Sequence, residues 1–131
     1  MKTITVKPMG NSMKPFIYPG DTVYLKLDCK DIRKYDVVLY QAYGTSVLHR
    51  VIGEEKNKFV ICGDNTAVLE KIPKKMIAAK AVKIVRGGKE IDLNNPIIKT
   101  QVFLWYRLGI KRLARFVKRK LRKTGGRTDA E

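Results

Sequence analysis

The chain holds a single histidine, His49, and two serines, Ser12 and Ser46. A serine hydroxyl becomes a nucleophile when an imidazole takes its proton and a carboxylate orients the imidazole. Ser12 lies in Gly10-Asn11-Ser12-Met13-Lys14-Pro15, directly after an extended run, where glycine and asparagine permit turns that β-branched residues resist. A serine on such a turn presents its hydroxyl outward, and neighbouring backbone N–H groups can form an oxyanion hole. His49 sits in Val47-Leu48-His49-Arg50-Val51-Ile52, where alternation puts Val47, His49 and Val51 on one face and Leu48, Arg50 and Ile52 on the other. Asp64, in Cys62-Gly63-Asp64-Asn65, stands at a strand end, and Glu70 follows six residues later. Either carboxylate could hold the imidazole; either could instead close a loop through backbone N–H groups.

Other chemistries lack their residues. One histidine and two distant cysteines, Cys29 and Cys62, make a poor zinc set, and neither GxxxxGK[ST] nor GxGxxG occurs. No metal and no cofactor is expected. Two cysteines are too few for a disulfide scaffold and read as reduced thiols of a cytoplasmic protein. The longest uncharged stretch, Val37 to Leu48, spans 12 residues, short of the roughly 20 apolar ones that a membrane helix needs. No secretory signal is visible at the N-terminus.

The elements that must position these groups follow from periodicity. Runs at Thr3–Lys7, Thr22–Lys26, Asp36–Tyr40, Ser46–Ile52 and Lys58–Cys62 are rich in β formers. Ile77–Val85 and Lys89–Leu93 flank Arg86-Gly87-Gly88, whose Gly-Gly suits a two-residue hairpin loop. The fold class is therefore mostly β, a small antiparallel domain over 1–95. After Asn94-Asn95-Pro96 the pattern turns helical: Val102, Tyr106, Ile110, Leu113, Val117 and Leu121 recur at threes and fours. Arg107, Lys111, Arg115, Lys118, Arg119 and Arg122 fall mainly on the opposite side. One basic amphipathic helix is expected over 96–124, with Gly109 its weak point, and a disordered tail over 125–131.

Four segments, taken in order, resemble the signal peptidase I superfamily of serine peptidases. Its first box, G-x-S-M-x-P followed by G-D, is similar to Gly10-Asn11-Ser12-Met13-Lys14-Pro15 and then Pro19-Gly20-Asp21-Thr22-Val23. A strand usually ending G-D-I-V-x-Y/F resembles Tyr35-Asp36-Val37-Val38-Leu39-Tyr40; H/K-R-V-I-G resembles His49-Arg50-Val51-Ile52-Gly53; G-D-N resembles Gly63-Asp64-Asn65. The resemblance covers residues 6 to about 93. It implies a β domain of the signal-peptidase and SOS-repressor-peptidase type. Histidine rather than lysine before the arginine is similar to the archaeal and endoplasmic-reticulum branch, which uses serine, histidine and an acid.

By that resemblance Ser12 is the nucleophile, His49 the general base, and Asp64 or Glu70 the acid. In that branch a further Asp pair follows G-D-N; here Leu69 and Glu70 stand at those positions, which leaves the choice open. Many bacterial members place a serine two residues before the nucleophile, where this chain has Gly10, so the oxyanion would rest on backbone N–H groups or Asn11. Met9, Gly10, Asn11 and Met13 are the expected substrate contacts, with an extended peptide adding beside Thr5 to Met9. The implied cleavage follows small residues. The N-terminal membrane anchor of such peptidases has no counterpart in the eleven residues before Ser12.

Charge supplies a partner. The chain has 131 residues, 44% of them hydrophobic, which fits one folded domain. Its 28 Lys+Arg against 12 Asp+Glu give +16, an attraction to something anionic. From Leu93 onward eleven basic residues meet two acidic ones, +9 in the last third of the chain. With Phe103, Trp105, Tyr106 and Phe116 interleaved, residues 102–123 read first as a helix lying in the plane of an anionic membrane surface, and otherwise as a solvated basic helix packing its apolar stripe on the β domain. Nucleic acid is the weaker partner, because no recognised binding motif accompanies the charge.

The expected function is a serine endopeptidase that removes a leader or propeptide, cytoplasmic or peripheral on the inner membrane surface. A non-catalytic peptide- or membrane-binding module of the same fold and a basic nucleic-acid-binding protein are the alternatives.

Overall fold

The structure, a computed structural model, describes residues 2–27 and 30–125, apart from the side chains of 113, 115 and 122–125. Cys29 and residues 126–131 of the expected tail lie outside the described residues. In chain order the strands are β1 Thr3–Val6, β2 Thr22–Leu27, β3 Val37–Ala42, β4 Thr45–Glu55, β5 Lys58–Cys62, β6 Glu70–Pro73, β7 Ile77–Arg86 and β8 Lys89–Asp92. Two helices follow, α1 Pro96–Arg107 and α2 Ile110–Gly125. Among the described residues the eight strands form one antiparallel sheet in the order β1-β2-β7-β3-β4-β5-β6, with β8 paired to the far half of β7.

β3 is the strand around which the interior forms. Val37, Val38, Leu39 and Tyr40 are all buried, so both its faces are covered. Val37 and Leu39 join Met13, Ile17, Leu25 and Ile84 in one cluster, while Val38 and Tyr40 join Val51, Phe59 and Ile61 in another. Period-two alternation divides the strand between two cores, and each buried aliphatic side chain contributes about 1.5–3 kcal/mol. The same alternation in β4 sets Leu48 and Arg50 opposite Leu39 and Val37, and His49 opposite Val38. His49 therefore stands on the Tyr40 face of the sheet.

Two elements differ from the periodicity. β6 was not foreseen: Glu-Lys-Ile-Pro is short, charged and carries proline, all tolerated because β6 lies at the end of the strand order. The single helix expected over 96–124 is two. Gly109 adopts φ +75, a left-handed conformation that ends a helix, and Leu108 caps α1 through its N–H to Leu104 O. α1 begins where its sequence says it should, with the Asn95 side chain accepting from Ile97 N at 2.7 Å and Pro96 in the first turn. Gly87 and Gly88, both left-handed, close the β7–β8 hairpin between Arg86 and Lys89.

Candidate functional site

The chain leaves β1 at Val6, passes Met9 and Gly10 on the surface, and turns at Ser12. Gly10 has φ +87, which a side chain would strain. The turn is anchored from behind: Met13 and Ile17 are 3% and 1% exposed, and Met13 O accepts from Phe16 N and Ile17 N. Met13 was expected to touch substrate; its side chain is instead a core residue, because an apolar group at this turn gains more from the β2–β7 interior than from the surface. Met9, 93% exposed, stays on the surface with Gly10, while Asn11 is half-buried.

The loop Gly63-Asp64-Asn65 lies between this turn and His49, Gly63 close to both and Asn65 bonded to the turn. A Cβ on Gly63 would lie 2.7 Å from Ser12 O and 3.2 Å from His49 Nε2, so one methyl group would fill the space where the two approach. Asn65 staples the turn, donating its backbone N–H to Ser12 O at 2.8 Å and its side-chain amide to Asn11 O at 3.0 Å. Among the described residues no hydrogen bond joins the Ser12 hydroxyl to His49. Such bonds often tighten only when substrate docks.

The two carboxylates separate cleanly. Asp64 is fully buried and takes both Arg50 Nε and Nη2, at 2.8 and 2.7 Å, in a bidentate pair; Tyr106 OH also donates to it. Arg50 spends its remaining nitrogen on Tyr35 O at 2.8 Å. Burial alone would lower the Arg50 pKa, but the Asp64 carboxylate overcomes it and holds the guanidinium charged. Trp105 Nε1 donates to Asp64 O at 2.9 Å, and Tyr106 stacks on Tyr35. Trp105 and Tyr106, expected at a membrane interface, thus face the protein and tie α1 to this loop.

Glu70, on β6, stands on the other side of the imidazole. Its Oε1 is 3.9 Å from His49 Nδ1 and accepts from Tyr40 OH at 2.8 Å, while Tyr43 OH donates to Oε2. Tyr43 sits at φ +56 in the β3–β4 turn, followed by left-handed Gly44, and that turn carries its phenol back over Glu70. The Tyr43 hydrogen bond, then that of Tyr40, outweighs partial burial and keeps Glu70 below the ordinary glutamate pKa. Tyr40 OH is also 3.3 Å from His49 Nδ1.

His49 is held below its ordinary pKa of 6.5, first by burial and also by the Lys111 charge, against the pull of Glu70 and Asp64. Because the folded value is the lower one, the unfolded chain binds the extra proton first as pH falls. Stability from this group is complete above 6.5 and is lost as pH falls from there through the folded value. The C2–H resonance of this sole histidine is therefore expected to titrate below 6.5. The urea midpoint at pH 5.5 should lie below that at pH 7.5, and a midpoint unchanged or higher at pH 5.5 would contradict the assignment.

Helix α2 passes beside the same loop. Lys111 Nζ donates to Gly63 O at 2.8 Å and Lys118 Nζ to Asn65 Oδ1 at 3.2 Å, one i, i+7 stripe of the helix. Between α2 and the loop lies a groove of about 970 Å³, lined by Thr66, Val68 and Leu69 on one wall and Arg112, Phe116 and Arg119 on the other. No helix among the described residues is long and apolar enough to cross a membrane.

Periodicity missed Tyr40, Tyr43, Asn65 and Lys111. Only the β3–β4 register, which sets Tyr40 two residues along from the partner of His49, could have exposed the first of them. Comparison with protein-family models and with curated proteins finds no match for this chain.

Proposed function

We propose that this chain is a serine endopeptidase of the signal-peptidase type, with Ser12 as nucleophile, His49 as general base and Glu70 as the acid that orients it. The observation that carries the reading is the two-sided setting of His49. Its Nε2 meets the Ser12 turn across Gly63, and its Nδ1 meets Tyr40 and Glu70. Asp64 drops out of the acid role because its oxygens are committed to Arg50 and Tyr106.

Ser12 Oγ attacks the scissile carbonyl while His49 Nε2 takes the hydroxyl proton. The imidazolium gives that proton to the departing amine, and the same nitrogen then activates the water that hydrolyses the acyl-enzyme. β1 lies at the end of the strand order, so an extended peptide can add along Thr5 to Met9. A preference for small residues before the cut follows from the family resemblance.

The surface on which this happens is an anionic membrane. Phe116, Val117 and Leu121 are exposed on α2 among basic residues, with Leu108 exposed just before it, an apolar surface flanked by cations. Cleavage profiling of a peptide library by mass spectrometry tests both parts, with phosphatidylcholine vesicles compared with vesicles that also contain phosphatidylglycerol. Cuts that vanish in Ser12→Ala, and that quicken on the anionic vesicles, are expected. Cuts undiminished in Ser12→Ala would sink the peptidase reading, and equal rates on both vesicles the membrane one. Steeply salt-dependent binding to RNA or DNA in place of cleavage would favour the nucleic-acid alternative.

A further inference from the structure

The distance from His49 Nδ1 to the nearest Glu70 oxygen, 3.9 Å, is too long for a hydrogen bond, yet a buried phenol spans the gap. Tyr40 OH is 2.8 Å from Glu70 Oε1 and 3.3 Å from His49 Nδ1, and Tyr40 is fully buried. From these contacts we infer that Tyr40 is a positioning residue inserted between base and acid, so that Glu70 orients His49 through the tyrosine hydroxyl. The inference rests on the peptidase reading above and adds a fourth member to its site.

Donor counting fixes the direction of the chain. A phenol has one proton, and the ionised carboxylate can only accept, so that proton goes to Glu70. Nothing is left for Tyr40 to donate to His49, and Nδ1 must itself carry hydrogen and donate to the phenol oxygen. Neutral His49 is then the Nδ1–H tautomer, and its lone pair is on Nε2, the atom that faces the Ser12 turn. When Nε2 accepts the serine proton, the imidazolium keeps its Nδ1–H bond to Tyr40, and Tyr40 keeps its own proton. No proton passes along the chain; only the hydrogen bonds strengthen. Burial and Glu70 raise the Tyr40 pKa well above the ordinary phenol value, which keeps it a donor throughout.

The remaining charged neighbours do not replace this link. Asp64, from the loop after β5, is engaged by Arg50, and Lys111, from α2, donates to Gly63 O and Cys62 Sγ. Tyr43 holds the far oxygen of Glu70 from the surface.

Because His49 is the only histidine, its ring nitrogens can be read directly by 15N NMR of histidine-labelled protein, whether or not any peptide is cut. The wild type is expected to show the Nδ1–H tautomer at neutral pH. Tyr40→Phe should redistribute the tautomers and lower the His49 pKa by roughly one unit, since the imidazolium loses its acceptor. Peptide cleavage should slow on the order of tenfold, in kcat rather than KM. Adding Glu70→Gln to Tyr40→Phe should cost less than about twofold more, because both changes break one chain.

A wild type dominated by the Nε2–H tautomer would overturn the inference without any variant, as would a Tyr40→Phe protein whose tautomer and pKa are unmoved. Independent, multiplying losses for the two substitutions would overturn it as well, since Glu70 would then act on His49 directly. Should Tyr40→Phe not fold, Glu70→Gln takes its place in the NMR measurement. It too must lower the His49 pKa, and an unmoved pKa there counts against the inference. Absence of any Ser12-dependent cleavage would overturn the peptidase reading while leaving the tautomer result standing.

Discussion

Asp64→Ala is expected to cost about 3–5 kcal/mol of folding stability, because it strands Arg50 as an uncompensated charge in the interior. A domain of this size is stable by about 5–15 kcal/mol, so the variant should lose much of its urea resistance or fail to fold. The pair is buried on both sides, with side-chain exposures of 5% and 0%. Tyr106, Trp105 and Tyr35 all bond to or pack beside it, so its loss also loosens α1. The double substitution Arg50→Met/Asp64→Leu should recover part of the stability, since it removes both charges together. Urea unfolding followed by circular dichroism measures this. An Asp64→Ala protein within 1 kcal/mol of wild type by that measurement would mean that Arg50 finds water or another partner, and would reopen a catalytic role for Asp64.

His49→Ala should leave a folded protein and remove the proposed activity. His49 is partly exposed and makes no ion pair as close as that of Arg50 with Asp64. Its truncation therefore costs little stability. Where serine and histidine act as one unit, losing either lowers kcat by on the order of 10⁴- to 10⁶-fold. The loss should equal that of Ser12→Ala, and the two should not add. Steady-state cleavage of a peptide taken from the library screen measures it. A His49→Ala enzyme retaining more than about a tenth of wild-type kcat would remove general-base catalysis from the account.

The contrast between these two carboxylate neighbourhoods shows where sequence patterns run out. The strand carrying His49 was legible because alternation alone orders Val47, His49 and Val51 on one side, and the β3–β4 register agrees. The Gly-Gly hairpin was legible because only glycine enters both left-handed positions without strain. Glu70 could be named but not placed, because β6 is too short, too charged and too proline-bearing to show a period. Choosing between Asp64 and Glu70 required knowing that Arg50 turns inward from β4, a matter of facing across three strands.

The helix region shows the same limit. Spacing at threes and fours located it, and Gly109 marked the break, but whether the glycine would bend or end the helix depends on packing that lies far away in sequence. Trp105 and Tyr106 look interfacial by composition. Their N–H and O–H groups found buried partners at Asp64 instead, which is the usual fate of such groups inside a protein.

In the proposed mechanism Ser12 forms an acyl-enzyme with His49 as its base. The most direct measurement is the pre-steady-state burst with a p-nitrophenyl ester of a small acyl group, paired with intact-protein mass spectrometry after acid quench. Close to one equivalent of nitrophenolate and one acyl group, mapped by digestion to Ser12, are expected, with both lost in Ser12→Ala and in His49→Ala. A burst of the same size from Ser12→Ala, or an acyl group mapped to any other residue, would contradict it.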